Sequence, residues 1–316
     1  MSCTTLIMAG LRNNVHPLSG VYAAAVTPLD IKWNLLTTDV PTLLGFLSKR
    51  GCHGALLMGT TGEGPSLSSK ERIEFWQAAA DWRAKQARGF RLFAGTGTPS
   101  LPETIELTKA AFELGFEAVC VLPPFFFRNA SEDGLFEWFS QVIDQAVPNG
   151  HWLLGYHIPA VSGVALPVSL LQRLNSAFPD RFGGLKDSSG SLDSARNYVE
   201  GLPGKAVLVG NDKLLGPGLT IGAAGCITAG ANLWSPQLRA IYDADGRGED
   251  IQILQGEVDY LRAKMDAMPP APAYVKAILH AEHGLPQWKV RAPLNDFTSQ
   301  QIQVALKDFG TLRESM

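Results

Sequence analysis

The feature that most constrains this chain is a recurring unit: a short apolar run, a loop with Gly, Pro or Thr, then an amphipathic stretch. Eight runs read as strands, at residues 21–26, 55–58, 91–94, 118–122, 152–157, 182–186, 206–209 and 225–228. Helical patterns lie between them, among them 69–85, 102–114, 132–146 and 167–178. The first of these opens Ser68-Ser69-Lys70-Glu71, with an acid three residues after a serine, as in a capping box. Strands that alternate with helices predict a parallel sheet, because parallel neighbours need crossover connections. About eight units is the number that closes such a sheet into a barrel, and such barrels run to about 250 residues. The runs WLLGY and AVLVG are apolar on both faces, as strands covered on both sides should be. An open doubly wound sheet is the competing architecture, but no GxGxxG follows the first strand. The expected fold is therefore a (β/α)8 TIM barrel.

From residue 235 onward the character changes. Helical patterns recur at 237–243, 250–267, 273–283 and 299–308 without a convincing strand, interrupted by Met268-Pro269-Pro270-Ala271-Pro272. The expected organisation is an N-terminal extension over 1–18, the barrel over 19–234 and a C-terminal helical subdomain over 235–316.

Composition narrows the function. Of 316 residues, 46% are hydrophobic and 18% charged, with a net charge of -3, so no basic footprint for nucleic acid exists. A small-molecule substrate is the default that remains. Cys3, Cys52, Cys120 and Cys226 are widely spaced and form no CxxC or Cys/His ligand pattern. Buried, reduced thiols and no metal are expected, in a reducing compartment. The N-terminus has only a short apolar run at 6–11 and a lone Arg12, a poor match to a signal or transit peptide. That run is too short to span a bilayer. A cytoplasmic protein without membrane contact is expected.

In a β/α barrel the active site lies at the C-terminal ends of the strands. Those positions carry Thr27, Gly59-Thr60-Thr61-Gly62-Glu63, Thr96, Pro123, Tyr156, Lys186, Asn211-Asp212 and Thr228. Lys186 ends the apolar run Phe182-Gly183-Gly184-Leu185. An ammonium at a barrel mouth is costly to desolvate, which favours the neutral amine, a nucleophile toward carbonyls. The plainer alternative is a lysine paired with Asp187 or another acid. Tyr156 ends the preceding strand and would be a neighbour of Lys186, either as a proton shuttle or as a packed aromatic. Gly59-Thr60-Thr61-Gly62 offers hydroxyls and backbone amides that suit a carboxylate, although glycine-rich turns are common. Without a following GK[ST] it is no phosphate loop. An amine, a proton relay and a carboxylate cradle on separate strand ends make a 2-oxo acid site.

Several ordered motifs carry a family resemblance. These are Gly59-Thr60-Thr61-Gly62-Glu63, Ala94-Gly95-Thr96-Gly97, Tyr156-His157-Ile158-Pro159, Gly184-Leu185-Lys186-Asp187-Ser188-Ser189-Gly190, Gly225-Cys226-Ile227 and Arg291-Ala292-Pro293-Leu294. Over about residues 19–309 the chain resembles the dihydrodipicolinate synthase/N-acetylneuraminate lyase family of class I aldolases. The resemblance implies a homotetramer in which Lys186 forms a Schiff base with pyruvate. It implies Tyr156 as general acid/base, Thr60 in its relay, Thr61 and the amides near Gly59 as carboxylate ligands, and the Ile227 main chain at the border of the site. No metal or organic cofactor is implied, because the lysine adduct is the electron sink.

Three departures bear on the substrate. Phe127 stands where the synthase has a relay tyrosine, Val161 where it has an arginine for the aldehyde's carboxylate, and His157 where an asparagine is usual. The expected activity is a pyruvate-linked aldolase or lyase for a 2-oxo-3-deoxy sugar acid or a related 4-hydroxy-2-oxo acid, with an aldehyde as the second partner. A dehydratase of the same family is the first rival and a 4-hydroxy-tetrahydrodipicolinate synthase the second. A non-catalytic 2-oxo acid sensor is the rival from another class.

Overall fold

The computed structural model describes residues 16–313. Most of the extension expected over 1–18, with Cys3, lies outside the described residues. The eight strands are β1 (Gly20–Ala24), β2 (Gly54–Leu57), β3 (Arg91–Gly95), β4 (Ala118–Val121), β5 (Trp152–His157), β6 (Phe182–Asp187), β7 (Ala206–Val209) and β8 (Gly225–Thr228). Each pairs in parallel with the next, and β8 returns to β1, so the sheet is a closed barrel. This is the (β/α)8 TIM barrel that the sequence predicts.

The connecting helices are α1 (Val40–Lys49), α2 (Ser69–Gln86), α3 (Leu101–Glu113), α4 (Glu132–Ala146), α5 (Pro159–Ser162), α6 (Val168–Ala177), α7 (Leu192–Gly201) and α8 (Leu215–Thr220). They are followed by α9 (Ala231–Gly246), α10 (Gln252–Asp266), α11 (Ala271–His283) and α12 (Ser299–Arg313). The capping box on α2 forms as read: Ser68 Oγ accepts from the Glu71 N–H, and Glu71 Oε2 accepts from the Ser68 N–H at 2.9 Å. Serine caps also start α3, α4 and α7, each taking an otherwise unpaired amide of the first turn.

Two cores follow from strand alternation. One face of each strand packs against the helices, in a cluster that includes Val21, Leu57, Leu92, Val119, Leu153 and Leu185. The other face fills the barrel with Tyr22, Ala24, Leu56, Phe93, Cys120, Leu154, Tyr156, Leu208 and Ile227. Low in the barrel the rings of Tyr22 and Phe93 stack at 4.5 Å. There Arg91 closes the bottom, donating to Tyr22 Oη at 2.6 Å and to the Ser19 carbonyl at 2.8 Å. The late helices are fastened to the barrel itself. α9 packs along β1, and the α10 residue Arg262 reaches the fully buried Asp212 after β7 at 2.7 Å. Asp212 also accepts from Thr228 Oγ1 at 2.7 Å and from Trp234 Nε1 at 3.3 Å. The end of β7, the end of β8 and α10 thus share one buried carboxylate.

Candidate active site

The turn after β2 is unusually constrained. Met58 (φ 58°) and Glu63 (φ 55°) both adopt left-handed backbone conformations on either side of Gly59-Thr60-Thr61-Gly62. Residues other than glycine held there cost about 1–3 kcal/mol each and persist only where their surroundings hold them. The holding groups are visible. Thr27 Oγ1 donates to the Gly62 carbonyl at 2.6 Å, the Glu63 amide to the Thr60 carbonyl at 3.1 Å, and the Gly64 amide to the Gly59 carbonyl at 3.1 Å. A Cβ on Gly64 would run into the Met58 carbonyl, so the turn closes only around glycine. Thr61 is buried beneath the turn, while Thr60 is exposed toward the mouth.

Thr60 Oγ1 lies 3.0 Å from the Tyr156 hydroxyl, and either oxygen can donate. Tyr156 on β5 is in register with Lys186 on β6, and the Lys186 Nζ stands 4.2 Å from the centre of the Tyr156 ring. Both side chains are 3% exposed. Asp187 does not take Lys186 as a partner. Adjacent residues of a strand point to opposite faces, and Asp187 Oδ1 accepts from the Ser189 amide at 2.9 Å. Among the described residues no carboxylate pairs with Lys186; its Nζ faces the Tyr156 ring instead. Three groups from β2, β5 and β6, far apart in sequence, thus converge in one line.

The remaining strand-end residues divide by face. Ser188, one layer above Lys186, lies over Gly210 at the end of β7, where a Cβ would collide with its hydroxyl. Ile227 places its side chain inside the barrel. His157 faces outward: its Nδ1 accepts the Leu166 amide at 3.1 Å and its ring stands edge-on to Tyr198. The acceptor role puts the proton on Nε2, and burial pushes the imidazole below its ordinary pKa, offset in part by Asp187. It is a packed histidine. Thr96 is also structural, paired at 2.9 Å with Thr108 on α3. Pro123 is buried, and Asn211 caps the turn after β7.

A cleft beside the line of Thr60, Tyr156 and Lys186 is bordered by Gly59, Thr60, Arg72, Gly97, Cys120 and Tyr156. Arg72 and Cys120 are site neighbours that motif reading passes over. Arg72 donates to the carbonyls of Gly64 (2.6 Å) and Leu67 (3.3 Å), supporting the turn from below. The signal for it was present: an arginine on the apolar face formed by Phe75, Trp76 and Ala79. The Cys120 thiol is fully buried and pushed up to about 12, which makes it inert. Lys276 was missed too, although it stands alone among the buried apolar residues of α11, and it pairs with Glu63.

The departures lie at the rim. Phe126 and Phe127 are each 75% exposed and meet edge-on at 5.2 Å. Val161, on α5, is 61% exposed.

Residues 17–309 match the dihydrodipicolinate synthetase family. The chain belongs to this family. An uncharacterized DapA-like lyase of Chloroflexus aurantiacus is 33% identical over 93% of this chain and 95% of its own length. The 4-hydroxy-tetrahydrodipicolinate synthase of Listeria welshimeri is 31% identical over 90% of this chain and 95% of its own. The solved 4-hydroxy-tetrahydrodipicolinate synthase of Methylacidiphilum fumariolicum SolV superposes with a TM-score of 0.85 at 29% identity, covering 94% of this chain and 96% of that one. As a dihydrodipicolinate synthetase family member the chain is a lyase. Among the described residues no helix is long and apolar enough to cross a membrane, and no group of three or more His, Cys, Asp or Glu is placed to hold a metal ion.

Proposed function

We propose that this family member is a class I, Schiff-base aldolase that cleaves or forms a 2-oxo-3-deoxy sugar acid or a related 4-hydroxy-2-oxo acid, releasing or using pyruvate. The observation that carries the reading is the buried Lys186 amine over the Tyr156 ring, with the Tyr156 hydroxyl bonded to Thr60. Lys186 attacks C2 of the 2-oxo acid, and Tyr156 supplies the proton that lets water leave the carbinolamine. In cleavage, Tyr156 takes the proton of the C4 hydroxyl. The C3–C4 bonding electrons move into the iminium, the aldehyde departs, and an enamine of pyruvate remains. Protonation at C3 and hydrolysis return Lys186 and pyruvate. Thr60 passes protons to and from Tyr156, and Thr61 with the amides near Gly59 holds the substrate carboxylate. Ser188, whose amide donates to the His157 carbonyl at 2.7 Å, suits a substrate hydroxyl at the layer above Lys186, and the Ile227 main chain borders the site.

The names of the relatives support a second reading, 4-hydroxy-tetrahydrodipicolinate synthase. Val161 weighs against it, because an isopropyl group offers nothing to a carboxylate-bearing aldehyde, and Phe127 cannot pass a proton. We assign the active form to a homotetramer, in which the exposed pair Phe126–Phe127 is apolar surface available for cover. Free, buried Cys52, Cys120 and Cys226 fit a reducing cytoplasm.

The test is intact mass after incubation with pyruvate and borohydride, beside Lys186→Ala. A gain of one reduced pyruvyl unit in the parent chain alone is expected. No gain in folded protein overturns the Schiff-base reading. Turnover of 2-oxo-3-deoxy acids against condensation with aspartate semialdehyde then separates aldolase from synthase.

A further inference from the structure

Glu63 ends the turn that carries Thr60 and Thr61, and its carboxylate is 3% exposed. Both of its oxygens are taken by the far end of the chain. Lys276 Nζ, on α11, donates to Oε1 at 2.5 Å, and the Arg291 amide donates to Oε2 at 2.7 Å. Lys276 is 2% exposed and also donates to the Lys289 carbonyl at 2.5 Å. The Arg291 guanidinium fixes the same segment from outside, donating to Glu71 Oε1 and to the Ser66 carbonyl, each at 2.7 Å. The anchor therefore grips the turn on both sides of Gly64.

Buried ion pairs are poor sources of net stability, because desolvation offsets most of the attraction. What a fully hydrogen-bonded one supplies is fixed geometry. The turn here needs that, since two non-glycine residues are held left-handed around it. The Glu63 amide closes onto the Thr60 carbonyl, so the side chain of one and the position of the other form one rigid unit.

We propose that Lys276 is a positioning residue for the 2-oxo acid site. Acting through Glu63, it fixes the turn that presents Thr60 to Tyr156 and Thr61 with the neighbouring amides to the substrate carboxylate. The proposal rests on the site reading given under Proposed function. It makes the C-terminal helices part of the binding apparatus, although none of their described side chains lines the cleft beside Thr60 and Tyr156.

The experiment uses the full chain and pyruvate as probe. Lys276→Met keeps the aliphatic stem and removes the charge; Glu63→Gln keeps the shape and weakens the anchor from the other side. Borohydride trapping is followed against pyruvate concentration, together with melting temperature and kcat. The expected result is a half-saturating pyruvate concentration raised about tenfold or more, equivalent to ~1.4 kcal/mol. Labelling still reaches completion at saturation, and kcat falls less than KM rises. A lowered melting temperature with unmoved half-saturation overturns the proposal, since a merely structural pair gives that result. If Lys276→Met does not fold, Glu63→Gln decides on the same readout. A parent chain that traps no pyruvate sinks the Schiff-base reading and this proposal together. A parent that traps, beside variants with unchanged half-saturation, sinks this proposal alone.

Discussion

Lys186 and Asp187 are sequence neighbours with opposite fates. One enters the barrel against a phenol ring, and the other turns to the Ser189 amide. A single residue's step along a strand separates a candidate nucleophile from a structural acid. Removing only the Tyr156 hydroxyl, in Tyr156→Phe, is expected to lower kcat by about 100- to 10,000-fold while Lys186 still accepts pyruvate; single-turnover trapping against steady-state turnover checks this. At the rim, Val161→Arg is expected to raise kcat/KM for a carboxylate-bearing aldehyde relative to a neutral one, measured by competition between the two. Much of the candidate site was legible because its residues sit in short ordered motifs at strand ends. Arg72 and Lys276 were not, because each is a lone charge within an apolar helical face, and sequence does not show which acid or carbonyl lies opposite. Whether His157 faced the substrate was likewise open until strand alternation placed it against Tyr198.

The strands of the barrel depend on more than their own residues. His53 precedes β2 and accepts the Val21 amide of β1 on its Nδ1 at 3.0 Å, so an imidazole stands in for a ladder carbonyl. Burial first, then the nearby charges of Arg239 and Arg91, push this histidine from 6.5 down to about 4. A depressed folded pKa means that the unfolded chain takes up the proton first. The stability from His53 is therefore complete above pH 6.5 and is lost as pH falls toward 4. His16, also near 4 through burial, acts in the same direction. Melting temperature is expected to decline through that window, and His53→Gln to make the decline shallower. At the other end of β2, Gly64→Ala is expected to cost on the order of 2–4 kcal/mol in denaturant unfolding, because the added carbon meets the Met58 carbonyl. All eight strands were legible as short apolar runs bounded by glycine and polar residues; β5, β7 and β8 match the expected limits, while β1 runs Gly20–Ala24 rather than 21–26. The helix expected over 237–243 instead runs Ala231–Gly246, with Pro236 inside and a break at Trp234. The expected stretch begins just after Pro236, whereas the packing of α9 on β1 and the buried Trp234 carry the helix back across it.

At the scale of the whole molecule, the mouth of the barrel is tied twice to helices made late in the chain, through Glu63 with Lys276 and through Asp212 with Arg262. Light scattering is expected to give four times the chain mass, and serine at both Phe126 and Phe127 to reduce it. The identity of partners across such long separations was also beyond sequence reading, since an isolated acid or base does not disclose its counterpart. Glu63 and Lys276 are 213 residues apart. On a ribosome adding about 5–20 residues per second, Glu63 emerges roughly 10–40 s before its ammonium partner exists. A lone carboxylate stays hydrated rather than entering an apolar interior, so the turn bearing Thr60 and Thr61 cannot settle during that interval. If Lys276 positions the turn as proposed, the nascent chain carries Lys186 before it can carry a settled turn at residues 59–64, and synthesis of α11 completes the proposed site.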